Sequence, residues 1–200
     1  MNGTFYDLTT ALVERKLFAG LRRDLLGQLA GEIVEVGAGT GADFPYYGAG
    51  AHVIAIEPDR SMAGRARRRA RSAAARIEVR IADDTFLAGI APHSVDAVVF
   101  PLSLCTIDAP SRALEQAGRV LKRSGQLVVL EHVRSEGRVG RFQDAVAPLW
   151  KGAAGGCRLN RRTRDAIAEA GFAVDALRTR RISRFFLIQE LLYGSAPPAA

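Results

Sequence analysis

The sequence predicts an α/β fold. It reads as a mostly parallel sheet with helices on both faces, closed by an antiparallel C-terminal hairpin. Three observations predict this. Apolar strand-like runs alternate with helical patterns through 31–130, the pattern of a parallel sheet with crossover helices. The first of those runs ends directly in Gly37-Ala38-Gly39-Thr40-Gly41, a turn tight enough to need glycine. Two apolar runs then follow each other near the end, at 172–178 and 185–192, with no helix between them.

The elements follow in order. Leu17, Leu21, Leu25 and Leu29 stand at helical spacing within 12–29. Strands are expected at 32–36 and 52–56. The stretch 61–75 reads as a helix capped by Ser61. Its Ala63, Ala66, Ala70 and Ala73 form a small-residue face that lets it lie close to a sheet. Further strands are expected at 76–81, 95–100 and 126–130. A helix at 111–121 turns Leu114, Ala117 and Leu121 inward and ends at Ser124-Gly125. A last helix over 163–170 closes at Gly171. The segment 134–165 interrupts the sheet pattern and reads as an inserted lid. One domain results: a helical cap (1–30), a core (31–133), the lid (134–165), and a helix with hairpin (166–195).

Composition bounds the function. The chain has 200 residues, 48% hydrophobic and 24% charged, which excludes a disordered chain. Two cysteines exclude a disulfide scaffold. Cys105 and Cys157 are far apart in sequence and show no metal-ligand spacing, so no metal is expected. The net charge is +7, which leaves a basic nucleic-acid-binding module as a rival class. Only Lys16, Lys122 and Lys151 are lysines; the other basic residues are arginine. A genome rich in G and C produces that bias without a selected partner. No aromatic RNA motif or Cys/His finger supports nucleic-acid binding, so none is expected. The opening residues do not read as a secretory signal. The longest apolar run, 95–105, is broken by Asp96 and Pro101, short of the roughly 18 residues of a membrane span. A reducing, cytoplasmic setting is expected.

In a parallel sheet the ligand crevice lies beyond the carboxyl ends of the strands. The glycine turn sits there and reads two ways. As G-x-G-x-x-A it is a dinucleotide fingerprint, which implies an NAD-linked oxidoreductase. As E-x-G-x-G-x-G, from Glu35 to Gly41, it suits a cofactor carrying an ammonium. Glu35 would be a buried carboxylate in need of a partner; otherwise it caps a turn. Glu57 ends the second strand and can accept from both ribose hydroxyls, or it is a plain exposed strand end. Asp83 and Asp84 follow the third strand. An acid there can take an adenine amine or simply make a turn.

With these residues in place, the chain resembles the class I S-adenosylmethionine (SAM) methyltransferases of the methyltransferase-11 type. The matching pieces are Glu35 to Gly41, Ile56-Glu57-Pro58, Ser94-Val95-Asp96-Ala97-Val98-Val99 and Arg119-Val120-Leu121-Lys122. Arg123 and Ser124 replace the Pro and Gly of that last motif. Within the family the chain is similar to the microsomal alkyl-thiol methyltransferases and to bacterial phospholipid N-methyltransferase-like relatives. That similarity lies in Thr40-Gly41-Ala42-Asp43-Phe44, Leu104-Cys105-Thr106-Ile107, Glu131-His132-Val133, and Trp150 with Gly156-Cys157-Arg158-Leu159-Asn160-Arg161-Arg162-Thr163. The microsomal relatives carry an apolar N-terminal anchor that is not expected here.

The resemblance implies a Rossmann-like sheet, SAM as cofactor, and S-adenosylhomocysteine (SAH) as product. The residues expected to bind cofactor are Glu35, Gly37, Ala38, Gly39, Gly41, Glu57, Pro58, Met62, Asp83, Asp84, Pro101 and Leu102. The favoured acceptor is a hydrophobic small-molecule thiol. A thiol ionises near pH 8.5 and needs little help from a base. A phospholipid amine and a phenol or quinol are the alternatives. His132, just past the fifth strand, is the candidate base or orienting residue. Tyr6 is a second catalytic candidate, in a segment that could fold over the cofactor. Cys105, Phe142 and Trp150 are candidates for the acceptor pocket. The basic, aromatic lid offers a peripheral contact with lipid. Its arginines, and those at Arg65, Arg67, Arg68, Arg69 and Arg71, otherwise read as solvated.

Overall fold

The computed structural model describes residues 18–184 and 187–199, without the side chains of 182–189. Tyr6, Leu12 and Leu17 lie outside the described residues. The first described helix is α1 (Ala19–Leu26), followed by β1 (Gly31–Val36), β2 (Ala51–Ile56), α2 (Arg60–Ala70) and β3 (Arg76–Arg80). Then come β4 (Val95–Pro101), α3 (Pro110–Val120), β5 (Leu121–Val133), α4 (Gly137–Ala153), α5 (Thr163–Glu169), β6 (Arg178–Arg184) and β7 (Leu187–Ala196).

The seven strands form one sheet in the order β3-β2-β1-β4-β5-β7-β6. The pairs among β1 to β5 are parallel; β7 runs antiparallel to both β5 and β6. The order reverses between β1 and β4. A crevice opens there because the crossovers leave in opposite directions.

Side chains alternate across the sheet. Ile33, Val53, Ala55, Ala97, Val99 and Val128 pack on one face with α1 and the alanine face of α2. Val34, Val36, Ile56, Val98, Phe100, Leu127 and Val129 pack on the other with α3 and α5. Burial on both faces is why these strands read as continuous apolar runs. Leu114 of α3 is fully buried in this second layer. Leu114→Ala should cost about 2–5 kcal/mol; chemical denaturation measures it, and a loss under about 1 kcal/mol would contradict this packing.

Several boundaries differ from expectation. α2 is capped by Asp59, whose carboxylate accepts from Met62 N at 2.9 Å, not by Ser61. It ends at Ala70, not 75. Ala63 and Ala66 are fully buried, and Ala70 and Ala73 pack beside them. β5 is longer than 126–130 because it begins directly after α3. Ser124-Gly125 therefore lies inside an irregular strand start, not at a helix end. The stretch 172–178 is not a full strand. It makes one bridge, Phe172 to Pro198, and the hairpin strand starts at Arg178. No helix among the described residues is long and apolar enough to cross a membrane.

Candidate active site

The glycine turn is tied to β2 by Gly37 N and Ala38 N, both donating to Ile56 O at 2.9 and 3.0 Å. Gly37, Gly39 and Gly41 all have positive φ, where a side chain is strained. They differ in what surrounds them. A Cβ on Gly37 would stand 2.5 Å from Ser103 Cβ. One on Gly41 would meet the Phe44 ring at 2.6 Å and Ala66 Cα at 3.3 Å. A Cβ on Gly39 would meet nothing within 4 Å. Gly37 and Gly41 are thus small for packing, and Gly39 alone of the three faces open space. Gly37→Ala should lower the melting temperature more than Gly39→Ala, while Gly39→Ala should weaken cofactor binding with little unfolding. The reverse ranking in thermal melts and calorimetry would contradict this division.

Glu57 is 6% exposed at the end of β2. Its carboxylate accepts from Gly39 N at 2.8 Å and from Asp59 N at 2.9 Å, one on each oxygen. Each oxygen keeps a free lone pair. Burial raises its pKa, opposed by those two N–H groups. A ribose diol, two adjacent hydroxyl donors, matches the remaining capacity.

Glu35 is fully buried under the turn. Tyr47 Oη donates to its Oε2 at 2.6 Å, while Oε1 has no hydrogen-bond partner among the described residues. Beside it Arg22 Nε donates to Asp43 Oδ1 at 2.6 Å. Burial, then repulsion from Asp43, raises the Glu35 pKa well above the ordinary 4.5. The folded state therefore holds the proton more tightly than the unfolded chain. Its stabilising share is whole below the ordinary carboxylate range and is lost as pH rises through the folded value. Glu35→Gln keeps an acceptor for Tyr47 and should flatten the fall of stability above pH ~5. Glu131, pushed up to about 8 chiefly by burial, has the same sign and leaves a residual slope. An unchanged profile of denaturation midpoint against pH, without cofactor, would contradict this.

The other cofactor candidates divide. Ala38 and Pro101 are buried, Met62, Asp84 and Leu102 half-buried, Pro58 and Asp83 exposed. Asp83 is used locally: its carboxylate accepts from Thr85 N at 3.0 Å and Thr85 Oγ1 at 2.5 Å, which lowers its pKa. Leu102 takes φ 59, a strained conformation of the kind that gathers at functional sites. Its N–H donates to Leu130 O at 2.6 Å.

The loop after β4 is held from β5. Glu131 Oε1 accepts from Ser103 N and Leu104 N, both at 2.7 Å, and Oε2 accepts from Cys105 N at 3.1 Å. Glu131 thus fixes the loop backbone. Ser103, packed against Gly37, has a buried hydroxyl with no partner among the described residues. Nothing in the sequence marked Ser103 or Tyr47.

Cys105 and Cys157, separated in sequence, come together in space. Their sulfurs and a ring nitrogen of His132 all lie within 4.8 Å of one another. His132 Nδ1 is 3.8 Å from Cys157 Sγ. The Cys157 thiol is lowered to about 5, first by a hydrogen bond from Cys105, then by His132 and the Trp150 indole, against burial. The Cys105 thiol is raised by that same contact and by burial. So His132, Cys105 and Trp150 gather at one place. Phe142, 54% exposed on α4, does not share their burial.

Nor are all of the arginines simply solvated. Arg69 donates to Thr40 O and Oγ1, and Arg67 to Val79 O. In the lid segment Arg158 pairs with Asp108, Arg161 donates to Ile107 O, and Arg164 to Val174 O and Leu177 O. These bonds strap 157–164 onto the core.

The reversed sheet, the glycine turn and the acids ending β1 and β2 define a class I SAM-dependent methyltransferase. Residues 34–129 match the family model described as Methyltransferase domain. The chain is 30% identical over 177 residues to thiol S-methyltransferase TMT1A of Homo sapiens, covering 84% of this chain and 70% of that one. It is 32% identical over 170 residues to thiol S-methyltransferase TMT1B of Rattus norvegicus, covering 80% and 67%. Its fold is like that of the geranyl diphosphate C-methyltransferase of Streptomyces coelicolor A3(2), at TM-score 0.69 and 14% identity, covering 96% and 84%. The chain belongs to the SAM-dependent methyltransferase family that includes these thiol S-methyltransferases.

Proposed function

We propose that the protein methylates a hydrophobic small-molecule thiol. The observation that carries this reading is the similarity to thiol S-methyltransferases along more than four-fifths of the chain. The chemistry of the crevice supports it. When bound, SAM supplies an electrophilic methyl on a sulfonium sulfur, moved by in-line displacement that depends on alignment. Glu57 would hold the ribose hydroxyls, the free Oε1 of Glu35 the amino-acid ammonium, and Asp84 the adenine amine. Gly39 would let the backbone approach the cofactor. His132, with Cys105 and Trp150, would face the acceptor. The lid, 134–165, would cover it and exclude water.

An amine acceptor would gain from an ionised carboxylate beside it. Glu131 suits that role poorly, because its oxygens already serve three backbone N–H groups. One observation favours a phospholipid amine. Phe142 and Leu149 of α4 are 54% and 81% exposed, with Arg138, Arg141 and Lys151 exposed on the same helix.

Labelled SAM offered with alkyl thiols, phenols and phosphatidylethanolamine vesicles decides between them. Transfer to the thiols is expected. Transfer to the lipid alone would overturn the thiol reading.

A further inference from the structure

We propose that Cys105, His132 and Cys157 form a site for a zinc-type divalent cation, with an open fourth position that takes the acceptor sulfur. Three elements converge on it. Cys105 lies in the loop after β4, His132 at the end of β5, and Cys157 just after α4. All three are buried, and their ligand atoms lie within 4.8 Å of one another. Zinc bonded to sulfur at about 2.3 Å and to nitrogen at about 2.0–2.1 Å, in tetrahedral array, holds its ligand atoms roughly 3.5–4 Å apart. The 3.8 Å between His132 Nδ1 and Cys157 Sγ already meets that spacing.

The frame around the cluster is fixed. Arg158 N donates to Cys105 O at 2.9 Å, which joins the two cysteine segments directly. Arg158 to Asp108 and Arg161 to Ile107 O add two more straps. Glu131 holds the Cys105 amide. Two sulfurs and one imidazole are a donor set suited to zinc, and three protein ligands leave one position for water or substrate.

The location gives the site a use. Cys105 is two residues from Ser103, whose Cβ packs against the glycine turn at Gly37. A metal there stands beside the cofactor crevice. An acceptor thiol binding at the fourth position would lose its proton to solvent and form a metal–sulfur bond. The sulfur then attacks the methyl carbon of SAM. A new sulfur–methyl bond forms, and the bond from methyl to sulfonium breaks with its electron pair left on the departing sulfur. The products are SAH and a neutral thioether, a weaker ligand that exchanges for water. The role of the fourth position rests on the thiol reading; metal binding by the three side chains does not.

Cobalt(II) tests the site without relying on activity. The full chain, reduced and stripped by a chelator, is titrated with cobalt(II) and then zinc(II). One cobalt per chain is expected, with tetrahedral visible bands and sulfur-to-metal charge-transfer absorption, both abolished by zinc. Cys157→Ser and Cys105→Ala should each weaken uptake by more than about 100-fold, while melting temperatures with SAH verify that they fold. Adding an alkyl thiol should shift the cobalt bands. Absence of tight cobalt uptake by protein that still binds SAH would overturn the metal site and leave the methyltransferase reading standing. A Cys105–Cys157 disulfide in protein handled without reductant, with no cobalt bound after reduction, would overturn it in favour of a redox pair. Tetrahedral cobalt that ignores a thiol the enzyme methylates would overturn the open position.

Discussion

Glu57→Ala is expected to weaken SAM binding at least 100-fold. Glu57 is 6% exposed, and each carboxylate oxygen already accepts one backbone N–H, from Gly39 and from Asp59. Its remaining lone pairs are the acceptors that two ribose hydroxyls require. A hydrogen bond to a charged group contributes about 1.5–3 kcal/mol, and about 2.7 kcal/mol is already a factor of 100. The substitution also releases Gly39 N, which loosens the glycine turn proposed to cradle the cofactor. Glu57→Gln keeps one carbonyl acceptor and should fall between wild type and alanine. Calorimetry with SAM and SAH measures both variants. An affinity unchanged in Glu57→Ala would show that the ribose binds elsewhere.

Glu131→Ala should have the largest effect on the fold near the site. One side chain accepts from Ser103 N, Leu104 N and Cys105 N, and all three residues are buried. Alanine leaves three buried donors unpaired. Each costs about 1–3 kcal/mol, against a total stability of about 5–15 kcal/mol for a typical domain. Glu131→Ala should be expressed poorly or melt far below wild type. Glu131→Gln retains one oxygen for Ser103 and Leu104 but turns an amide N–H₂ toward Cys105 N, so an intermediate loss is expected. Near-wild-type melting of Glu131→Ala would mean that this loop is held by something other than Glu131.

Much of the molecule was legible in the sequence, for identifiable reasons. Strands buried on both faces announce themselves as apolar runs, and α2 announced its packing through Ala63 and Ala66. The acids at Glu35 and Glu57 were legible because they break apolar strand ends beside glycine. What failed was local chemistry with a competing partner. Ser61 looked like a cap, but Asp59, two residues earlier, reaches Met62 N. Asp83, read as a cofactor ligand, also accepts from Thr85, through one oxygen. Phe172 opened an apolar run that makes one bridge and no strand. Long-range geometry was invisible. Fifty-odd residues separate Cys105 from Cys157, and no motif spacing signals that Arg158, Arg161 and Glu131 fasten their segments together. At Gly37 and Gly41, read as cofactor glycines, the packing of Ser103, Phe44 and Ala66 adds a second reason for the absent side chain that the sequence did not show.

The decisive measurement is a crystal structure of the complex with SAH. The ribose hydroxyls are expected on the Glu57 carboxylate and the SAH sulfur in the crevice between the ends of β1 and β4, open toward Cys105, His132 and Cys157. A complex with the ribose away from Glu57, or with the sulfur walled off from that cluster, would contradict this placement.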